Sequence, residues 1–262
     1  MKKIYFLSDA HLGSKTFQHP LEQEKRLVRF LDSIKEDAKA LYLLGDIIDF
    51  WYEFKTVVPR GFTRFFGKIA ELTDRGIEVH WFTGNHDIWL FDYLPAEIGV
   101  IIHRQTLVAD IDGKKVLMAH GDGLGDDSTA YQFMHRFFRN RLCQRLFSAV
   151  HPRWTVAFAH NWSRHSRLTG GDNGFNGEDN ERLVSYAKEV LKTQHIDYFI
   201  FGHRHIMLDL MIARDSRVLI LGDWISLYSY AVMQDGQIWL EQFESDNSEA
   251  DETERNGVSI AF

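Results

Sequence analysis

Residues 40–49 read ALYLLGDIID. The first five are apolar and have the length and composition of a buried strand. The run stops at Gly45, and two aspartates follow, Asp46 and Asp49. In open α/β sheets, ligands bind beyond the carboxyl ends of strands, where a glycine lets the chain turn sharply. If this strand end belongs to a site, other strand ends must supply the rest of it.

Four others match. Residues 4–7 run into Ser8-Asp9-Ala10-His11, and residues 78–82 lead to Gly84-Asn85-His86-Asp87. Residues 115–119 end in His120-Gly121-Asp122, and residues 197–201 in Gly202-His203-Arg204-His205. Amphipathic helical patterns cover 21–35, 62–75 (closing at Gly76) and 179–192. Residues 100–118 are strand-like, with Asp112-Gly113 as a hairpin turn. Residues 218–221 and 230–243 complete the pattern, the latter turning at Asp235-Gly236. Early βαβ units followed by hairpins predict mixed sheets with helices outside.

Composition sets the bounds. The chain has 262 residues, 45% of them hydrophobic, which suffices for one large α/β domain or two small ones and excludes a disordered chain. A net charge of −7 argues against a general nucleic-acid binder. Cys143 is the single cysteine, so a disulfide framework is excluded, as suits a reducing cytoplasm. It reads as a small apolar residue. The opening MKKIYFLSDAH breaks its apolar stretch at Ser8-Asp9, too early for a signal peptide. No apolar run reaches the roughly 18 residues of a membrane span. Between Asp127 and Asp172 there is no acidic residue, and seven arginines lie among aromatics. The division expected is a core of 1–127 and 171–243, a helical insertion at 128–170, and a mobile acidic tail at 244–262.

The strand-end residues suggest metal chemistry. Asp9/His11 and His203/His205 are i, i+2 pairs, and in extended backbone each pair projects to one side. Carboxylate, asparagine and imidazole donors suit Mn²⁺, Fe²⁺ or Zn²⁺. With no thiolate, the set does not read as a structural zinc site. It holds more donors than one tetrahedral ion needs, and two ions sharing Asp46 would use them. Glycines precede Asp46, Asn85 and His203, where sharp turns bring the donors close. His80, His103 and His151 read as structural.

The ordered series D-x-H, G-D-x-x-D, G-N-H-D, H-G-D and G-H-x-H resembles the calcineurin-like metallophosphoesterase superfamily across most of the chain. Each motif alone is weak, but the ordered set is specific. The resemblance implies an αββα sandwich of mixed β-sheets flanked by helices. It implies one ion held by Asp9, His11, Asp46 and His205, and a second by Asp46, Asn85, His120 and His203. Mn²⁺ is the expected metal, with Fe²⁺ and Zn²⁺ open. Such ions supply hydroxide at neutral pH and draw charge from phosphoryl oxygens. His86 with Asp87 resembles the His–acid pair that aids substrate binding or protonates the departing oxygen. Asp49 matches a position that is usually not a direct ligand.

Three features narrow the resemblance: Trp51 close behind Asp49, the stretch GDGLGDDSTAYQFMHR at 121–136, and the long arginine-rich gap before His203. Together they look like the UDP-2,3-diacylglucosamine hydrolase family of lipid A biosynthesis. That family cleaves a pyrophosphate to give UMP and a diacylated sugar phosphate, under a helical lid. The likeness makes Trp51 a substrate-side residue, sets Asp127 and Tyr131 against the sugar or lid, and sets Arg164, Ser166 and Arg167 against the phosphate and headgroup. Arg204 either points away from the metals or reaches the headgroup. The best-known branch has arginine where this chain has His86. A basic, aromatic lid can rest on an anionic membrane without spanning it, as a peripheral protein of the cytoplasmic face would. The expected partners are thus a lipid-linked UDP-sugar and a membrane surface, without nucleic acid. The alternatives are a dimetal phosphodiesterase or phosphatase acting on nucleotides or another lipid phosphate, and a non-catalytic scaffold. The complete donor set speaks against the scaffold.

Overall fold

Apolar residues alternate along the central strands, and both alternating sets are buried. In β1 (Lys3–Leu7), Ile4 and Phe6 face one way, Tyr5 and Leu7 the other. A strand buried on both faces needs a layer on each side. The computed structural model, which describes residues 2–126, 128–155, 174–175 and 177–244, has those layers.

The first sheet runs β11-β10-β1-β2-β3-β4. Its parallel part is β1, β2 (Ala38–Leu43), β3 (Glu78–Phe82) and β4 (Ile101–His103). A hairpin of β10 (Ser229–Gln234) and β11 (Gln237–Gln242) pairs antiparallel to β1. The second sheet runs β5-β6-β7-β9-β8. It comprises β5 (Leu107–Ile111), β6 (Lys114–Ala119), β7 (Tyr198–Phe201), β8 (Met207–Ala213) and β9 (Ser216–Leu221).

Three apolar clusters fill the gaps. Phe6, Tyr42, Met118, Ile200 and Leu219 meet between the sheets. Leu7, Leu41 and Trp81 pack outward against α1 (Pro20–Ile34), α2 (Thr63–Asp74) and α3 (Tyr93–Ile98). Phe199, Phe201 and Ile220 pack against α6 (Arg182–Leu191). The order helix, sheet, sheet, helix is the αββα sandwich expected, with each buried Leu, Ile or Phe contributing about 1.5–3 kcal/mol. In α1 the buried residues Leu27, Phe30, Leu31 and Ile34 have helical spacing. Its Glu24 also accepts from the amides of Arg64 (2.9 Å) and Phe65 (3.1 Å), supplying α2 with the N-terminal acceptor that its own sequence lacks.

Three elements differ from the sequence-based expectation. The strand-like stretch 100–118 is β4, β5 and β6, and the chain changes sheets between β4 and β5. Local periodicity carries no information about which sheet a strand joins. Residues 207–213, to which the sequence pattern assigned no element, form β8, an edge strand paired antiparallel with β9. Helix α3 is only six residues long and contains Pro95, so its pattern was too short to read.

The insertion is helical as expected where it is described. It forms α4 (Thr129–Arg139) and α5 (Arg141–Ser148), with Asn140 Oδ1 capping α5 by accepting from Leu142 N and Cys143 N. The core grips it through Tyr52 Oη, which donates to Gln144 O (2.7 Å), and Trp89 Nε1, which donates to Phe138 O (3.0 Å). Trp89 also stacks on Phe147. The expected acidic tail beyond Glu244 lies outside the described residues.

Candidate metal centre

The motif residues sit on the loops after β1, β2, β3, β6 and β7, so the two sheets contribute to one site at their carboxyl ends. Extension of the β1–β2 pairing sets the first two loops, since Asp9 N donates to Gly45 O and His11 N to Asp46 O. Trp224 N, after β9, donates to Asp9 O and so ties the second sheet's last loop to the first strand end.

The i, i+2 pairs do not project together through extended backbone, as their spacing suggested. Asp9, His11, Asp46, His203 and His205 all have positive φ, from 45° to 69°. Left-handed backbone is uncommon for non-glycine residues and persists where the surroundings hold it. Here it turns each donor inward. The glycines divide the labour differently from the expectation too. Gly45 (φ 88°) does need left-handed freedom, and a Cβ there would lie 2.6 Å from His120 Nδ1. Gly84 instead needs space, because a Cβ would lie 2.6 Å from Asp46 N.

The donors converge in overlapping groups: Asp9, His11 and His205; His11, Asp46 and His86; Asp46, His120 and His203. Asp46 belongs to two of them. Its Oδ2 lies 3.3 Å from His120 Nε2, 3.8 Å from His11 Nε2 and 4.0 Å from His86 Nε2. Asp9 Oδ1 lies 3.5 Å from His205 Nε2. Asn85 Oδ1 lies 3.3 Å from His120 Nε2.

The histidines are oriented from behind. His120 Nδ1 is 2.8 Å from Leu44 O, and His86 Nδ1 is 3.0 Å from Asp49 O. A carbonyl only accepts, so Nδ1 carries the proton in both and Nε2 faces the centre. His205 Nδ1 likewise meets Asp223 Oδ2 (3.3 Å), and His11 Nδ1 meets Asp49 Oδ1 (3.4 Å).

Burial works to raise the Asp46 carboxyl, but His120, His86 and His11 outweigh it and hold it well below the usual range. Burial likewise opposes charge on His120, yet Asp46 holds that imidazole well above its usual value. His203 is pushed down by burial and by His120. Asp9 Oδ1 is buried and accepts no hydrogen bond among the described residues. A buried acceptor left so costs about 1–3 kcal/mol. A cation held by Asp9, His11 and His205 would remove that cost, and the oxygen and imidazole donor set suits divalent metal ions.

Several site residues stand elsewhere than the sequence suggested. Asp87 is fully buried, and its carboxylate is taken up by the loops around it. It accepts from Gly84 N (2.8 Å), Ile47 N (3.0 Å), Trp81 Nε1 (3.1 Å) and Asp46 N (3.2 Å), so it ties the β2 and β3 loops together. Burial and the nearby Asp46 charge raise its carboxyl to about 6. The carboxylates beside the His86 ring are instead Asp49 (Oδ1 3.8 Å from Nδ1) and Asp46 (Oδ2 4.0 Å from Nε2). Trp51, 0% exposed, packs on Phe62, Phe66 and Tyr93 in the helix-side core and has no surface for a ligand. Arg204 points away from the metal-side histidines: its Nε donates to Glu181 (3.0 and 3.2 Å) and its Nη2 to Gly174 O. Tyr131 lies on α4, but its side chain, with Asp127, Arg164, Ser166 and Arg167, falls outside the described residues.

Asp223 escaped the sequence reading. It follows β9 as Leu221-Gly222-Asp223, the same tripeptide as Leu44-Gly45-Asp46, and that repetition was the available signal. Beyond holding His205, its Oδ1 accepts from the amides of Ile225, Ser226 and Leu227.

This metal-ligand constellation on an αββα sandwich belongs to a known class. The sequence model of the calcineurin-like phosphoesterase family matches residues 2–207, and the chain belongs to that family. It is a metal-dependent phosphohydrolase. Among curated proteins it is similar to the UDP-2,3-diacylglucosamine hydrolase of Porphyromonas gingivalis, 45% identical over 256 residues, covering 92% of this chain and 98% of that one. It is also 30% identical over 246 residues to the UDP-2,3-diacylglucosamine hydrolase of Neisseria meningitidis serogroup A, covering 90% of this chain and 95% of that one.

Proposed function

We propose that the protein hydrolyses the pyrophosphate of UDP-2,3-diacylglucosamine, giving UMP and 2,3-diacylglucosamine 1-phosphate in lipid A biosynthesis. The observation that carries this reading is the 45% identity to a hydrolase of that name along nearly its whole length. A cleft of about 930 Å³ supports it. Its walls are Leu12, Phe50, Val58 and Phe62 from the core and Pro152 from the insertion, with Lys15, Arg60 and Arg153 also lining it. Apolar walls suit acyl chains, and the cations suit phosphate.

Asp9, His11, Asp46 and His205 would hold one divalent ion, and Asp46, Asn85, His120 and His203 a second, with Mn²⁺ the best candidate. When bound, such ions supply hydroxide at neutral pH and offset charge on the phosphoryl oxygens. The protein's own part is to position. Asp49 holds the His11 and His86 rings, and His86, its Nδ1 proton donated to Asp49 O, leaves Nε2 free to take up a proton from water and, as the imidazolium, pass it to the departing oxygen.

Residues 128–170 serve as the lid. On α4 and α5, Phe133 (72% exposed), Phe137, Leu142 and Leu146 face outward beside Arg136, Arg141 and Arg145. Apolar side chains interleaved with arginine suit an anionic bilayer surface. Among the described residues no helix is long and apolar enough to cross a membrane. The reading is therefore peripheral attachment at the cytoplasmic face.

The test is product analysis with Mn²⁺ present, comparing UDP-2,3-diacylglucosamine with bis-p-nitrophenyl phosphate and free nucleotides. UMP release from the lipid substrate is expected at the highest kcat/KM of the three. Brisk turnover of the small esters without UMP release would sink the lipid assignment.

A further inference from the structure

Two adjoining clefts, of about 210 and about 440 Å³, lie on the His120 side of the metal centre. Thr83, Arg104, Gln105 and Arg139 belong to the walls of both. The smaller reaches His120 and Asp122, and the larger extends to Arg141 and Gln144. They form one groove leading from a metal-side histidine out between core and insertion, with three arginines along it.

These arginines lack the usual partners. Arg104 Nη2 donates to the carbonyls of Leu90 (2.9 Å) and Phe91 (3.0 Å), and Arg139 Nη1 to that of Arg104 (2.8 Å). Carbonyls orient a guanidinium without neutralising it. Among the described residues no carboxylate pairs with Arg104, Arg139 or Arg141, although most other arginines of the core have one. Arg139 Nε is buried and has no hydrogen-bond partner among the described residues. Buried donors are nearly always satisfied, so an unused one beside a cleft marks a place for an acceptor. The lone acid in either lining is Asp122, at the His120 end. Like charges gathered in a cleft with low-dielectric walls focus their field on an incoming anion.

We propose that this groove seats the second phosphoryl group of the diphosphate substrate, the one not held at the metal centre. The proposal rests on the hydrolase reading above and deepens it by giving the site its preference for a pyrophosphate over a single phosphodiester. Arg139 and Arg104 supply planar donors to phosphoryl oxygens, the geometry at which guanidinium surpasses ammonium. Arg141, at the start of α5, extends the positive wall outward. Because Arg104 belongs to the core and Arg139 to the insertion, a diphosphate seated here bridges the two.

The experiment has two arms on the full-length, Mn²⁺-loaded protein. The first is calorimetric titration with methylenediphosphonate, a two-phosphoryl probe that is not hydrolysed, and with inorganic phosphate. The second is kinetics with UDP-2,3-diacylglucosamine and bis-p-nitrophenyl phosphate. The variants are Arg104→Gln/Arg139→Gln together, and Arg141→Gln alone. Arg141 is exposed, so its replacement leaves the fold intact even if the double variant is destabilised. The double variant is expected to weaken methylenediphosphonate and raise KM for the lipid substrate by about tenfold each, the loss of charge-assisted hydrogen bonds to phosphate, and Arg141→Gln by about threefold. Turnover of bis-p-nitrophenyl phosphate should stay within about twofold. Equal effects on both substrates, or none on either, would overturn the proposal. Weaker binding of inorganic phosphate with an unchanged lipid KM would make the groove a free-anion site and overturn it as well. If the wild type releases no UMP, the hydrolase reading fails by itself, while arginine-dependent diphosphonate binding still reports on the groove.

Discussion

Asp223 illustrates how much of the site rests on residues that hold a ligand rather than act as one. Its Oδ2 accepts a hydrogen bond from Nδ1 of His205, which leaves Nε2 turned toward Asp9. Asp223→Asn keeps an oxygen for the amides of Ile225, Ser226 and Leu227 but removes the carboxylate charge. The protein should fold normally, while Mn²⁺ affinity, read from metal titration of activity and from calorimetry, falls about 10–100-fold. An unchanged affinity would show that His205 is oriented by other contacts. Asp87 is a parallel case: four donors from two loops converge on one carboxylate, and in sequence it looks identical to a catalytic acid. Residue type and order were enough to select the seven candidate donors. They were not enough to separate a donor facing the centre from one facing away, because that depends on backbone φ at single positions.

Elements carry the next level of decision. Strand ends are legible because a buried apolar run must stop where polar residues begin, as β1, β2, β3, β6 and β7 do. The insertion was legible as helical and basic, but its attachment was not. Trp89 holds it, stacking on Phe147 (5.1 Å), meeting Phe138 edge-on and donating to Phe138 O. Trp89→Ala should free α4 and α5 while leaving the sandwich intact. Tryptic cleavage after Arg139, Arg141 and Arg145 is expected to quicken about tenfold as local opening becomes easier. The melting midpoint should fall by only about 2–4 °C. A large drop in melting with no gain in cleavage would mean that the insertion is part of the cooperative core.

Across the whole molecule, a stack of rings runs over the first sheet: Phe6 on Tyr42, Tyr42 on His80, His80 on His103, and His103 on Phe82. His80 Nδ1 and His103 Nε2 are 2.9 Å apart and share a proton. Burial first, then the neighbouring His80, pushes His103 down from 6.5 to about 4, and burial lowers His80 as well. A histidine lowered in the folded state binds fewer protons there than when unfolded. Stability is therefore full above pH 6.5 and declines as pH falls toward about 4. His103→Phe keeps the stack and removes one titration. Urea midpoints measured across that window should fall less steeply in the variant, by on the order of 1 kcal/mol once solvent screening is allowed for. Parallel slopes would rule the pair out as an acid-sensitive element.

The division of information between chain and fold has a physical basis. Strand and helix periods, the metal-donor residue types and their order along the chain are local properties, and these by themselves determined the layered α/β class and singled out five loops whose residue types suit divalent metals. The partition of strands between two sheets, the inward turn of five left-handed residues, the burial of Trp51 and Asp87, the engagement of Arg204 by Glu181 and the meeting of Arg104 with Arg139 were decided only by tertiary structure. Each is a relation between segments distant in sequence, set by which surfaces are removed from water together, and no local pattern encodes it.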